Sequence, residues 1–202
     1  MKYGELNLGQ IEAVVNKLGG MEGVNRFLRD ELMVSEPAHR FRVENGVIYL
    51  SVTSDGTTGP EWTKRLEKKG YRLGDYAKQI LCSKDFKPTK DVTTKIAILK
   101  GTLFSDEDRI TEKIRTEAAK RNLTKPNAEV ACLIRENFSD EELEAMGLIW
   151  VVIMHEPIKD SDGDPRLLDA GRDVEGGWLD ANYDYPVSRW ARDDGFAFVS
   201  QA

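Results

Sequence analysis

Residues 148–154 read LIWVVIM, seven apolar residues without interruption in a chain of 202. The run is too short to cross a bilayer and matches the length of a buried strand. It is the longest apolar stretch in the sequence, so the fold is expected to be organised around it as a central strand. Hydrophobic content of 40% and charged content of 32% fit an ordinary globular protein rather than a disordered chain.

The first third of the chain changes periodicity several times. Ile11, Val14, Val15 and Leu18 mark one helical stripe, Gly19-Gly20 ends it, and Val24, Phe27, Leu28 and Leu32 mark a second. Residues 40–53 alternate around Asn45-Gly46, which predicts a hairpin. Pro60 is suited to the first turn of a helix over 61–69, and a further short helix is expected over 75–81. The stretch SKDFKPTKD (83–91) has no periodicity, contains Pro88, and is the expected boundary between a region 1–90 and a domain 91–202.

Beyond that boundary KIAILKG (95–101) predicts a strand. Ser105, with Asp108 three residues on, predicts the N-cap of a helix reaching Arg121. A second helix is expected from Pro126 through Ile134, and a third from Phe138 to Met146, stopped by Gly147. Three strands are then expected, around Leu167-Leu168, over 178–183 and over 195–200. The predicted class is α+β.

Several patterns invite a chemical reading. In DSDGD, Asp160, Asp162 and Asp164 occupy the first, third and fifth positions of a helix-loop-helix calcium loop. The sixth position, which needs a glycine, is Pro165, and the twelfth, which needs a bidentate Glu, is Gly171, so a solvated turn is expected instead. His155-Glu156 lacks the second histidine of a zinc protease, since Lys159 stands there, and His39 is the other histidine of the chain. No GxSxG, GxGxxG or P-loop occurs, and no cofactor or metal is expected. Cys82 and Cys132 both fall in apolar helical patterns and are expected as free, buried thiols. A net charge of −6 argues against nucleic-acid binding. The second N-terminal helix offers Arg26 and Arg29 but also Glu22, Asp30 and Glu31, which favours assembly, as in a homo-oligomer, over duplex binding. The sequence shows no signal-peptide-like or membrane-spanning run, so a cytoplasmic location without membrane association is expected.

The stretch WLDANYDYPVSRWARDDGFAFV (178–199) gathers Asp, Asn, Tyr and Arg between tryptophans. It ends a series of pieces: the strand KIAILKG, the helix DRITEKIRTEAAKRNL, the Pro-led helix KPNAEVACLI, a strand with Trp150, a loop-rich W…Y…W region and the terminal strand GFAFV. Over residues 93–202 this order resembles the C-type-lectin-like fold. The resemblance is to the form used by variable proteins of diversity-generating retroelements and by formylglycine-generating-enzyme-like domains. The disulfides and calcium motif of animal lectins are absent, and the cysteines do not match those of formylglycine-generating enzymes, so neither activity is carried over. The resemblance to variable proteins implies mutagenesis of Asn codons at adenines, which yields Asn, Asp, Tyr, Ser, Ala, Val, Gly and others but never Lys, Glu, Gln, Met or Trp. Residues 178–199 contain no Lys, Glu, Gln or Met.

On this reading Trp178, Trp190, Phe196 and Phe198 are framework. The presented, ligand-binding positions are Asp180, Asn182, Asp184, Tyr185, Val187, Ser188, Ala191, Asp193 and Asp194. Tyr gives rigid amphipathic contact and Ser, Asn and Asp adaptable hydrogen bonds, as in antibody paratopes. The expected function is non-catalytic recognition of a ligand, in the first instance a protein. Two alternatives stay open: an enzyme with a cleft at His155, Glu156 and the Asp160–Asp164 loop, and a DNA-binding regulator using the N-terminal helices.

Overall fold

The LIWVVIM run is continuous because its two faces meet two different cores. In the computed structural model, which describes residues 7–32 and 40–200, Val151 and Ile153 point into one apolar cluster and Val152 and Met154 into another. A strand covered on both faces has no polar side to alternate with.

The chain divides into two compact units, Met1–His39 and Arg40–Ala202. In the first, α1 (Leu8–Lys17) starts at a capping box in which Asn7 and Gln10 satisfy each other's backbone N–H groups. Gly19 and Gly20, at φ 88° and 81°, turn the chain into α2 (Gly20–Leu28), as the Gly-Gly pair predicts. Leu8, Ile11, Val14, Phe27 and Leu28 of this pair are exposed. His39 lies outside the described residues.

The second unit is a single mixed sheet with helices on both faces. The predicted hairpin forms as β1 (Phe41–Glu44) and β2 (Val47–Asp55), turning through positive φ at Asn45 and Gly46. Next come α3 (Gly59–Lys68) with Pro60 in its first turn, the short β3 (Arg72–Leu73), α4 (Asp75–Cys82), β4 (Lys90–Lys100) and a 3₁₀ turn at Gly101–Leu103. Helices α5 (Thr111–Lys120), α6 (Val130–Asn137) and α7 (Asp140–Ala145) precede β5 (Trp150–Ile153), β6 (Ile158–Lys159), β7 (Pro165–Asp173), β8 (Gly176–Tyr183) and β9 (Asp194–Val199). The strand order is β1-β2-β4-β9-β5-β7-β8-β3, with β6 beside β7. Pairing is antiparallel except for β5 with β9 and β3 with β8. The class is α+β, built on a large, mostly antiparallel sheet with seven helices among the described residues.

One sheet face packs Ile48, Ile98, Val151 and Leu168 against Trp62 and Leu66 of α3, Ile80 of α4 and Ile134 of α6. The other packs Leu99, Val152, Phe196 and Phe198 against Ile114 and Ala118 of α5. Both sets of side chains are fully or nearly fully buried.

Several local expectations differ from what forms. The break expected at 83–91 does not separate two bodies: β2 pairs with β4 across it, from Val47↔Leu99 to Asp55↔Lys90, and β3 pairs with β8. Residues from Arg40 on therefore share one sheet, and the division between units falls after His39. Ser105 does not cap a helix. Its hydroxyl and the Asp108 backbone and carboxylate close a separate turn, because Ile110 is extended and bridges to Arg189, so α5 begins only at Thr111. Helix α6 begins at Val130, not Pro126. Cys132 is buried but Cys82, the last residue of α4, is exposed; both are free.

Candidate functional site

The loop between β8 and β9 is held by its backbone rather than by its tips. After Tyr183 the chain leaves the sheet, with Asp184 N–H donating to the Pro165 carbonyl at 2.9 Å. It then crosses the N-terminus of α5. The Thr111 and Glu112 N–H groups, which no helical carbonyl can reach, donate to the carbonyls of Ser188 (3.1 Å) and Pro186 (3.0 Å). Trp190 N–H donates to the Arg109 carbonyl at 3.1 Å, and its indole N–H to Thr111 Oγ1 at 3.0 Å. Its ring meets Phe196 edge-on at 6.1 Å. Where the loop rejoins the sheet, Asp194 Oδ2 accepts from Ala191 N–H at 2.7 Å.

Between this loop and the sheet lies a pocket of about 220 Å³. Trp150 and Val152 from β5, Asp169 from β7, Asn182 from β8 and Asp194 from β9 form its sheet side, and Arg189, Trp190 and Ala191 form its wall. Trp150 is seated on Gly171, its cross-strand partner; a Cβ there would come within 2.2 Å of the ring, so only glycine lets the indole lie down on the sheet. Asp169 is buried at 1% exposure. Its Oδ2 accepts from Asn182 Nδ2 at 2.6 Å, and its Oδ1 has no partner among the described residues. Burial first, and the negative charge of Asp180 second, push its carboxyl up to about 8. Burial likewise raises Asp194 to about 6, with Asp193 adding to it. A larger depression of about 540 Å³ runs along α5. Its charges answer one another, Lys113 with Asp108 and Lys120 and Arg121 with Glu117, which leaves it little chemistry to offer.

The nine expected positions separate into three groups. Asn182, Ala191 and Asp194 line the pocket. Tyr185, Val187 and Asp193 are exposed on the loop, and Ser188 is half-buried, its Oγ accepting from Tyr185 N–H at 3.1 Å. Tyr185 stacks on Tyr183 at 5.6 Å, and its hydroxyl donates to Asp164 at 2.7 Å. Asp180 and Asp184 are placed as framework. Asp180 is half-buried, its Oδ1 accepting from Ala181 N–H, and it lies so close to Gly74 that a Cβ there would meet it at 2.0 Å. Asp184 is buried and pairs with Arg115 of α5 at 2.8 Å. Trp178, expected in the core, is half-buried, with the Arg72 guanidinium 5.4 Å from its ring centroid.

The Asp184 pair gives a direct contrast. Asp184→Ala is expected to lower unfolding free energy by about 1–2 kcal/mol, moderated because water reaches the Arg115 side that remains. Val187→Ala, at a residue 72% exposed, is expected to stay within about 0.5 kcal/mol of the parent. Urea denaturation of the two variants checks both values; equal effects would mean the loop is not anchored through Asp184.

The other sequence candidates have structural duties. His155 is buried, its Nδ1 2.6 Å from the Glu156 carbonyl and its Nε2 accepting from Leu168 N–H at 3.0 Å. Burial lowers it to about 4, so it is neutral near pH 7. Glu156 is exposed and ion-paired to Lys125. In DSDGD, Asp160 Oδ1 accepts from the N–H groups of Asp162 and Asp164 while Oδ2 accepts from Arg166 Nε at 2.8 Å. This is a closed turn. Among the described residues no group of three or more His, Cys, Asp or Glu side chains is placed to hold a metal ion, and no helix is long and apolar enough to cross a membrane.

Sequence reasoning missed Asp169, Trp150 and Arg189 as pocket residues. The signal for Asp169 was present: it is an acid inside the apolar run LLDAG, and a buried acid in a strand calls for a reason. No protein-family model matches the chain, and neither a curated protein nor a solved structure shows significant similarity to it.

Proposed function

We propose that this is a non-catalytic recognition protein that presents the surface formed by β8, the loop 184–193 and the pocket beneath them. The observation that carries the reading is the way the loop is fixed. Backbone hydrogen bonds to α5, with Asp184, Trp190 and Asp194 below, hold its path, while Tyr185, Val187, Ala191 and Asp193 are exposed. Side chains at those four positions can change without moving the backbone, which is the requirement for a surface that acquires new ligands on a constant scaffold. Exposed Tyr183, Tyr185 and Val187 give it the aromatic and apolar character that suits a protein ligand.

The finer reading is a C-type-lectin-like variable protein of a diversity-generating retroelement. It draws support from the antiparallel pairing of β4 with β9, which brings the first and last strands of residues 93–202 together with α5 and α6 between them in sequence. The N-terminal helix pair, with its exposed apolar residues, would serve attachment or assembly. Sequencing sibling copies of the gene from one source tests the reading. Substitutions are expected at Tyr185, Val187, Ser188, Ala191 and Asp193, with Asp180, Asn182, Asp184, Asp194 and the tryptophans constant. Variation spread evenly along the chain would overturn it.

A further inference from the structure

We propose that the pocket lined by Trp150 and Trp190 seats an organic cation of side-chain size, an alkylammonium group, with the Asp169 carboxylate as its partner. The inference rests on the recognition reading of this surface and names what this pocket receives.

The polar groups at the base of the pocket are acceptors. Asp169 Oδ1 is buried and has no partner among the described residues, in a residue only 1% exposed. Asn182 gives its Nδ2 to Asp169, which leaves its carbonyl oxygen as the group it still has to offer. Asp194 is a second carboxylate, with Oδ2 held by Ala191 N–H. The Trp190 indole N–H is already directed to Thr111. An anionic or acceptor-rich ligand would be repelled by this set, whereas an ammonium supplies three donors and a charge that answers both acids. The two indoles add π faces, the groups that recur around bound ammonium ions. A volume of about 220 Å³ is below the range of roughly 300–1,000 Å³ typical of drug-sized ligands, and is suited to a single side chain or a small amine.

The cations nearest the pocket do not fill this role. Arg189 is exposed, with Nη1 donating to the Asp106 carbonyl. Arg109 directs its guanidinium to the carbonyls of Gly101 and Phe104 and to Asp106. The acids facing Asp169 are Asp180 across the β7–β8 pair and Asp194 on β9, and both raise its proton affinity on top of its burial. A bound cation reverses that field. Binding is therefore coupled to loss of the Asp169 proton, and affinity rises with pH through neutrality.

Titration of the full chain, followed by the indole N–H resonances in two-dimensional NMR, tests the proposal. The probes are n-butylammonium, N-acetyl-lysine methylamide, the neutral isostere 1-butanol and methyl α-glucopyranoside. Both amines are expected to shift the Trp150 and Trp190 signals, and to bind about tenfold or more tightly than 1-butanol. Stronger binding of the lysine amide would identify a peptide side chain as the source, and stronger binding of butylammonium a free amine. Asp169→Asn, which keeps an acceptor for Asn182, is expected to weaken the amines by about tenfold or more and to abolish the rise in affinity from pH 6 to pH 8. Should that variant not fold, Asp194→Asn is expected to weaken them about threefold or more while retaining an acceptor for Ala191 N–H. Equal binding of amine and alcohol, preference for the glucoside, amine affinity unchanged in the folded variant, or indole signals that no amine moves would each overturn the proposal. Those failures leave the recognition surface standing as long as sibling sequences vary at its exposed positions.

Discussion

Arg135→Met is expected to lower the free energy of unfolding by about 3–5 kcal/mol. Arg135 lies on α6 with a side chain completely removed from solvent. Nη1 donates to the Gly171 carbonyl at 2.6 Å, and Nη2 to the Phe138 carbonyl at 2.7 Å. Nη2 also lies 2.9 Å from Asp140, and the guanidinium stands 4.6 Å from the Tyr71 ring centroid. A methionine fills a similar length but donates to neither carbonyl. Each buried acceptor left alone costs about 1–3 kcal/mol, which dominates the loss of the ion pair, because Asp140 is partly exposed and can be hydrated. The effect extends to the pocket, since the Gly171 carbonyl that Arg135 holds belongs to the residue on which Trp150 lies. Urea unfolding with an unchanged slope and a lower midpoint is the expected result. A midpoint equal to that of the parent would show the network to be dispensable.

The sequence disclosed those parts of the fold whose causes are local. Asn45-Gly46 turns the β1–β2 hairpin because both residues take positive φ, and Gly147, also at positive φ, closes the segment after α7. LIWVVIM is central because nothing else in the chain is so apolar. What escaped were features whose causes lie far away in the chain. The two-residue strands β3 and β6 have no periodicity to detect. The sheet that joins residues 40–82 to the rest depends on pairing β2 with β4 and β3 with β8, and SKDFKPTKD is a connection within one body although its composition is that of a linker.

The candidate site shows the same division. Tyr185, Val187 and Asp193 are exposed as their setting implies, but Asp184 reads as a presented acid only while Arg115, 69 residues earlier, is out of sight. Asp194 is similar: its role is to receive Ala191 N–H where the loop rejoins the sheet. Polarity in a short segment indicates exposure on average, and it fails where a distant cation or a backbone donor provides for the group. Asp169 is the reverse case, an acid hidden in an apolar strand and without full provision.

That lack of provision has a measurable consequence. Asp169 stands at about 8 in the folded protein against an ordinary value of 3.8, so from pH 4 to pH 8 the folded chain retains a proton that the unfolded chain releases. Its contribution to stability is fully present below about pH 4 and is lost as pH rises through 8, at roughly 1.4 kcal/mol per unit, on the order of 6 kcal/mol in all. His155 acts in the opposite sense over part of that range. Its folded value of about 4 against 6.5 means that stability falls as pH drops below 6.5. The two slopes nearly cancel between pH 4 and 6.5, where Asp194, at about 6, adds a share with the sign of Asp169. From pH 6.5 to pH 8 Asp169 titrates without that opposition, and the parent protein is expected to lose about 2 kcal/mol. Asp169→Asn keeps the acceptor for Asn182 and has no proton to lose, so over the same interval it is expected to change by less than about 0.5 kcal/mol and to be the more stable protein at pH 8. Urea unfolding at half-unit steps of pH reads both curves. Parallel curves would show that Asp169 is ionised in the folded state. Diverging curves would show an acid that weakens its own fold at neutral pH, a cost that a binding residue offsets through its ligand.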